Sequence, residues 1–347
     1  MAEETPLKVL LVKLKHIGDA LLLTPTVMAI REQHPRAEIW VVVRKGTEGI
    51  LAGCPAIDRL ITVTPLDAEG QGLRNAWRDF QAWREIRRQK FDYAFELTDG
   101  DRGRWLAGLS GAKNRCVNVS RYPLRFWWRR WFNRTSDNEW MQGHRVEKDF
   151  HAINDFLPLG EDIPPLCFEQ SKTKETDFCG RDFAVFHPGT RWVKKRWPKE
   201  NWLQLARDLL ERVDRIVISC GPDEEERAFA KELLRGLNSD RVASTDGQLD
   251  WSQLAGLLYR ARVFVGVDTA AMHLAAACQC PTVSFFTVSV QSQWRPWKAP
   301  CELLSLPEEN TKHQTAEVVL GWVPNPLTPK LALAAVERMI RPAQQSP

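Results

Sequence analysis

Four places in this chain put chemically useful side chains where an apolar run ends. Lys8 to Lys13 (KVLLVK) reads as a buried strand, and the chain continues as KLKHIGDALLLTP, so Gly18 and Asp19 fall where a strand gives way to a helix. In open α/β sheets ligands bind at such carboxyl ends of strands. Gly18 lets a backbone approach closely, and Asp19 either caps the helix, as Asp often does, or acts on a ligand in the crevice. The turn carries no G-x-G-x-x-G, which disfavours a nicotinamide or flavin site, and no G-x-x-x-x-G-K-[ST] occurs anywhere, which removes P-loop chemistry.

The second place is His187 to Pro198 (HPGTRWVKKRWP), a strand end with a Gly-containing turn and Lys194, Lys195 and Arg196 before the next helix. Exposed amides and cations there suit a phosphate group, although a solvated basic loop is an equally simple account. The third is Val263 to Ala277 (VFVGVDTAAMHLAAA), where Asp268 and Thr269 lead into a helix of small residues. A helix start with unpaired N–H groups and a positive dipole end is a ready site for a pyrophosphate. His273, five residues after Asp268, can face the same anion. A lone helical His is usually structural, but here an Asp-Thr turn and a second basic loop accompany it. The fourth is Ser219 to Glu226 (SCGPDEEE), whose acids complement the dipole of the helix they enter, or of which Glu224 accepts hydrogen bonds from ligand hydroxyls.

A fifth segment is set apart by composition. Arg115 to Arg134 (RCVNVSRYPLRFWWRRWFNR) holds six arginines, three tryptophans and no acid, so its +6 exceeds the +4 of the whole chain. Such interleaving can stack nucleic-acid bases, bind an anionic membrane surface or grip a phosphorylated lipid. It is also what a Trp core covered by Arg looks like.

The elements that must position these residues alternate. The first half offers strands at Lys8 to Lys13, Glu38 to Val43, Arg59 to Val63, Phe91 to Leu97 and Arg115 to Val119, with helices over Asp19 to Gln33 and Leu73 to Gln89, the latter strongly basic. Around Leu157 to Asp177 the pattern lapses into prolines and the polar run SKTKETD, a linker. Alternation then resumes with strands at Phe183 to His187, Arg215 to Ser219, Val263 to Val267 and Thr282 to Phe286. Helices fall at Lys199 to Arg212, Asp223 to Arg235, Trp251 to Arg260 and Thr269 to Cys278, and a last amphipathic helix at Pro329 to Ile340. Two Rossmann-like α/β halves are the sum, with domains at 1–165 and 178–326 followed by the tail 327–347.

Composition agrees. A length of 347 residues suits two domains, and 44% hydrophobic with 27% charged residues, 48 basic against 44 acidic, excludes disorder, collagen and a globally polycationic nucleic-acid binder. The most apolar segment, Ala20 to Ile30, is interrupted by Thr24, Pro25 and Thr26, so no spanning helix is expected. The N-terminus lacks the order of an export signal, and a cytoplasmic address follows. Eight scattered cysteines without C-x-x-C read as buried free thiols.

The GD after the first strand, HPGT with K-x-W-P, GPDEE and GVDT-x-x-M-H-L-x-A-A, in this order over about residues 8 to 300, resemble the family 9 glycosyltransferases, the lipopolysaccharide core heptosyltransferases. K-x-x-x-x-G-D-x-L-L-x-T-P, the LTD at Leu97 to Asp99 and the WRPW at Trp294 to Trp297 look most like the heptosyltransferase III branch. The resemblance implies a GT-B fold, two Rossmann-like domains with parallel sheets facing a central cleft, the tail helix crossing back to the first domain. It implies inverting transfer of heptose from ADP-L-glycero-β-D-manno-heptose to a sugar hydroxyl of the inner core, with no metal and no cofactor beyond the nucleotide-sugar donor.

By the same resemblance Asp19 matches the catalytic base, Thr190 and Lys195 the donor phosphate loop, and Glu224 the ribose or adenosine contact. Leu249 matches the lining of the adenine pocket, and Asp268, Thr269, Ala270 and His273 the donor-binding turn and helix. Ala270 stands where the family commonly has Gly or Ser, and FFTVSVQS (Phe285 to Ser292) replaces the usual F-G-P-T-D, which bears on donor selectivity. The partners implied are the ADP-heptose donor and a phosphorylated lipopolysaccharide core, with Arg121, Arg125, Arg129 and Arg130 as acceptor contacts and a peripheral site on the cytoplasmic face of the inner membrane. Nucleic acid is not expected as a partner. Two other readings stay open: a GT-B transferase using another nucleotide-sugar, and a non-catalytic RNA-binding protein using the Arg/Trp segment.

Overall fold

Beyond Lys8 the first strand, β1 (Lys8–Val12), is apolar, and Val9 to Val12 are buried on both faces. Such a strand needs cover on both sides, which a parallel sheet with crossover helices supplies. The computed structural model, which describes residues 6–64, 72–119, 123–137, 143–178, 182–287, 289–305 and 327–340, contains two sheets of this kind. The chain separates into two units, Met1–Cys167 and Phe168–Pro347.

In the first unit β2 (Glu38–Arg44), β3 (Arg59–Val63), β4 (Tyr93–Glu96), β5 (Asn114–Asn118) and β6 (Arg134–Ser136) join β1 in the order β3-β2-β1-β4-β5-β6, all parallel. The second unit repeats this plan with β7 (Phe183–His187), β8 (Arg215–Ile218), β9 (Val242–Ser244), β10 (Val263–Val267), β11 (Thr282–Phe286) and β12 (Cys301–Ser305), ordered β9-β8-β7-β10-β11-β12. Both are doubly wound sheets whose strand order reverses between β1 and β4 and between β7 and β10, where a crevice opens at the strand tips. The edge strands β6 (RTS), β9 (VAS) and β12 (CELLS) fall outside the strands expected from sequence, being short and partly polar.

The helix expected over Asp19 to Gln33 is two helices. α1 (Ile17–Leu21) stops, and α2 (Thr24–Gln33) restarts with Pro25 in its first turn. A continuous helix would need an N–H from Pro25 to the Leu21 carbonyl, which Pro lacks. The Thr24 hydroxyl donates to that carbonyl instead, at 2.8 Å. One face of the first sheet, through Leu10, Val12, Val42, Ala94 and Val117, is covered by α3 (Gly72–Arg88), α4 (Asp101–Gly108) and the side chains of Leu124, Trp128 and Phe132. α5 (Arg145–Asn154) packs against α2.

In the second unit α6 (Lys199–Leu209) and α7 (Glu224–Leu237) cover alternate residues of the sheet, and Trp197 stacks on Phe285 with centroids 4.3 Å apart. α8 (Trp251–Arg260), α9 (Ala270–Ala277) and α10 (Gln291–Trp294) follow. The last described helix, α11 (Pro329–Met339), buries Ala332, Ala335 and Val336 in the same core, and the Trp197 indole N–H donates to the Leu327 carbonyl at 2.7 Å. The tail expected to cross back to the first domain is, over residues 327–340, packed on α6 and on β10 to β12 of its own unit. Residues 341–347 lie outside the described residues.

Candidate active site

The tips of β7, β8, β9 and β10 stand side by side along one edge of the second sheet, because all its strands run the same way. At the end of β7, His187 is buried, its Nδ1 lies 2.9 Å from Ser219 Oγ, and burial lowers its pKa to about 4. It is a neutral structural group. Thr190 follows, also buried, its Oγ1 accepting the Trp192 N–H at 3.3 Å. A single turn over Val193–Lys195 then carries Lys195 to the tip of β10, where Nζ donates to Asp268 Oδ2 at 2.6 Å. Thr269 is the N-cap of α9, yet its side chain makes no capping bond, and its Oγ1 is buried without a partner among the described residues. First-turn N–H groups have no acceptor inside their own helix. α9 therefore starts with uncapped donors at Ala270 and beyond, and an ammonium held beside them by Asp268. His273 lies one turn further on and only 2% of it is exposed.

At the tip of β8 the capping residue of α7 is Asp223, which accepts the Glu225 N–H at 3.0 Å. Glu224 is thereby left exposed, with its carboxylate on the surface. The acid that faces inward is Glu226: its Oε2 accepts the Gly221 N–H at 3.0 Å and lies 2.7 Å from where a Cβ on Gly189 would sit. Burial and, less strongly, Asp223 push its pKa up against the Gly221 bond. Sequence reasoning passed over Glu226, although it shares the buried stripe of α7 with Ala230 and Leu233 at helical spacing. Beyond β9, Gly247 (φ +68°) packs on the Gly221 carbonyl, which a Cβ would meet at 2.4 Å. Arg227 and Lys231 hold the neighbouring Asp246 at 3.1 and 3.2 Å. Half-buried Leu249 comes next, before Asp250 caps α8. Lys195–Asp268, Glu226–Gly189 and Gly247–Gly221 thus tie the four tips to one another.

The first unit has its own charged crevice where β1 and β4 diverge. The Leu14 N–H donates to Thr98 Oγ1 at 2.9 Å, joining the two tips. Asp19, half-buried at the third position of α1, accepts the His16 N–H at 3.3 Å in a reciprocal capping box, so it does cap the helix, though not as its N-cap residue. Lys13 is buried and its Nζ donates to both oxygens of Asp149, at 2.8 and 2.7 Å. Burial opposes its charge, but Asp149, then Asp19 and Asp99, more than restore it and hold Lys13 above the ordinary lysine range. Lys148 pairs with Asp99, whose φ is +58°, and against burial this pairing keeps the Asp99 carboxyl low. Burial lowers Lys15, partly offset by Asp99. Asp19 therefore sits in the field of the Lys13 and Lys15 ammonium groups just beyond β1. Asp149 was another residue missed: it lies with Val146, Phe150 and Ile153 on the buried stripe of α5.

The Arg/Trp segment divides. Trp128 is buried and its indole N–H donates to Asp101 Oδ1 at 3.0 Å, while Arg115 donates to the Trp131 and Ala112 carbonyls, each at 2.6 Å. These are structural, as in the reading of a Trp core. Arg125, Arg129 and Arg130 are exposed, and Arg125 stacks over Trp127 at 5.3 Å. Arg121 lies outside the described residues. Among the described residues no helix is long and apolar enough to cross a membrane.

Comparison with known proteins bears on both units. Residues 80–322 match the family model of glycosyltransferase family 9 (heptosyltransferase). The chain is 26% identical over 291 residues to lipopolysaccharide heptosyltransferase 3 of Escherichia coli, covering 81% of this chain and 83% of that one. It is 29% identical over 291 residues to lipopolysaccharide heptosyltransferase 1 of Pseudomonas aeruginosa, covering 81% and 78%. Its fold is similar to the structure of the E. coli heptosyltransferase WaaC with ADP, with a TM-score of 0.75, 21% identity, and 91% and 98% of the two chains covered. Two doubly wound units of the GT-B class are the fold expected.

Proposed function

Because the chain belongs to glycosyltransferase family 9 (heptosyltransferase), we propose that this glycosyltransferase passes a heptose from ADP-L-glycero-β-D-manno-heptose to a hydroxyl of the lipopolysaccharide inner core, with inversion and without a metal. The observation that carries the donor half is Lys195, fixed by Asp268 at the uncapped start of α9. A departing diphosphate gains charge as the sugar leaves, and a preplaced ammonium with helix N–H groups stabilises that charge without reorganising. Thr190 sits in the same loop, Glu224 offers an exposed carboxylate to ribose hydroxyls, and the half-buried Leu249 offers apolar surface to a base. His273, buried in α9, supports the helix that presents the donors.

The acceptor half rests on Asp19. Single displacement needs one carboxylate to take the proton of the attacking hydroxyl, and Asp19 is a half-buried acid at the mouth of the first crevice. Exposed Arg125, Arg129 and Arg130 are the proposed contacts for acceptor phosphates, and the lipid-borne acceptor places the enzyme peripherally on the cytoplasmic face of the inner membrane.

The test is transfer from ADP-heptose to defined truncated cores, with product linkage read by NMR. Asp19→Asn should lose at least ~100-fold in kcat, since a positioned general base contributes ~10²–10⁴-fold, with ADP affinity largely kept. Equal turnover would make Asp19 a cap alone. ADP should raise the melting temperature more than UDP or GDP does, and a larger shift with either of those would move the reading to another nucleotide-sugar.

A further inference from the structure

Large exposed apolar side chains are concentrated on one layer of the first unit. Leu73 (91% exposed), Trp77 (60%) and Phe80 lie on α3, Trp105 (51%) on α4, and Phe126 (80%) and Trp127 just beyond β5. Among its described residues the second unit exposes Trp192 and Val193 side by side, with Val290 and Leu331 elsewhere. The layer is continuous. Rings of Trp77, Phe80 and Trp83 follow one another along α3 at 5.7 and 5.5 Å, and the Trp83 indole N–H donates to the Leu109 carbonyl at 3.2 Å, where α4 ends. On α4, Trp105 meets Trp128 edge-on at 5.2 Å.

Charge follows the same layer. Arg74, Arg84, Arg88, Arg125, Arg129 and Arg130 are exposed and form no ion pair among the described residues. The acids interspersed with them are engaged: Asp79 by Arg102, Glu85 by Arg59 at 2.9 Å, and Asp101 by the Trp128 indole. What faces outward is aromatic and cationic together. A basic amphipathic helix with Trp, Phe and Leu on one face lies in the interfacial plane of a membrane, and each Lys or Arg close to an anionic leaflet adds attraction.

We propose that α3, α4 and residues 125–131 form a docking surface for an anionic phospholipid bilayer, the aromatic side chains entering the headgroup layer and the arginines meeting lipid phosphates. The occupant is the bilayer rather than a protein groove: the exposed apolar groups stand out from three elements instead of lining a cavity, and the unpaired charge among the described residues of this layer is of one sign. This extends the peripheral location proposed above. It rests on surface chemistry, so vesicle binding and sugar transfer succeed or fail separately.

The experiment is flotation of the full chain with vesicles of phosphatidylcholine containing about 30% phosphatidylglycerol, against pure phosphatidylcholine, at about 0.1 M and about 1 M salt. The wild type should bind the anionic vesicles, at least ~10-fold more weakly at high salt. Leu73→Gln/Trp77→Gln/Phe80→Gln and, separately, Phe126→Gln/Trp127→Gln should each weaken binding at least ~10-fold, and Leu331→Gln on the second unit should leave it unchanged. The α3 triple variant should transfer sugar to a soluble, delipidated core at the wild-type rate. The proposal is overturned by no binding, by equal binding to pure phosphatidylcholine, by triple and double variants that bind like wild type, by a dimer that the triple variant dissociates, or by single-stranded RNA outcompeting the vesicles. Loss of transfer by the wild type with vesicle binding intact would count against the proposed reaction alone.

Discussion

Glu96→Gln isolates one buried proton. Glu96 closes β4 and its carboxyl is sealed: Oε1 accepts the Thr98 N–H at 2.7 Å, Oε2 is buried with no partner among the described residues, and a Cβ on Gly103 would stand 2.4 Å from Oε1. Burial first and Asp99 second push its pKa from 4.5 to about 7, against the Thr98 N–H, Arg104 and Lys15. Through this window the folded chain keeps a proton that the unfolded chain has released, so stability falls as pH rises from about 4.5 to about 7. The difference of about 2.5 pKa units is worth at most about 3 kcal/mol. Gln keeps the acceptor for Thr98 and cannot ionise. Variant and wild type should therefore agree within about 1 kcal/mol near pH 5, and the variant should be more stable by about 1–3 kcal/mol near pH 8. Chemical denaturation across this range measures it. A difference that does not change with pH would refute the reasoning, because Glu96 would then be ionised throughout, held by Arg104.

Removing Asp149 leaves the Lys13 ammonium buried without its bidentate partner, so Asp149→Ala should cost about 3–5 kcal/mol in denaturant unfolding, while Lys13→Met/Asp149→Leu recovers most of the loss. Lys195→Ala takes away the cation at the start of α9. ADP affinity by calorimetry should fall at least ~10-fold and the ADP-induced melting shift should shrink, and the unliganded melting temperature should fall as well, since the Asp268 carboxylate, 8% exposed, loses its ammonium partner.

How much was legible depended on burial. Phe183–His187, Val263–Val267 and Thr282–Phe286 could be bounded to the residue, because an interior parallel strand is one continuous apolar run. The edge strands RTS, VAS and CELLS could not, being short or partly polar, whereas the remaining edge strand, β3 (RLITV), is apolar enough to be bounded as well. α4, whose sequence DRGRWLAG contains two glycines, has a weak helical signal and is held by packing on β1 and β4. Motif order made the strand-tip residues Thr190, Lys195 and Asp268 legible. Their ion pair was not, because Asp268 follows Lys195 by 73 residues and only the sheet order makes β7 and β10 neighbours. Asp149 and Glu226 stayed hidden for a related reason: an acid on an apolar stripe looks like a break in the stripe until its partner, in the case of Asp149 a lysine 136 residues away, is known.

The burial of Ala332, Ala335 and Val336 sets an order of events during synthesis. Every strand and helix of the first unit has left the ribosome by Cys167, whereas the second hydrophobic layer stays uncovered until Val336 emerges. At ~5–20 residues per second the lag is roughly 10–30 s. Over that interval a finished half is tethered to a nascent one, and once Val265 and Val283 have been made their layer lacks the cover of α11 until Val336 emerges. The late-made half is therefore the one whose core is completed last.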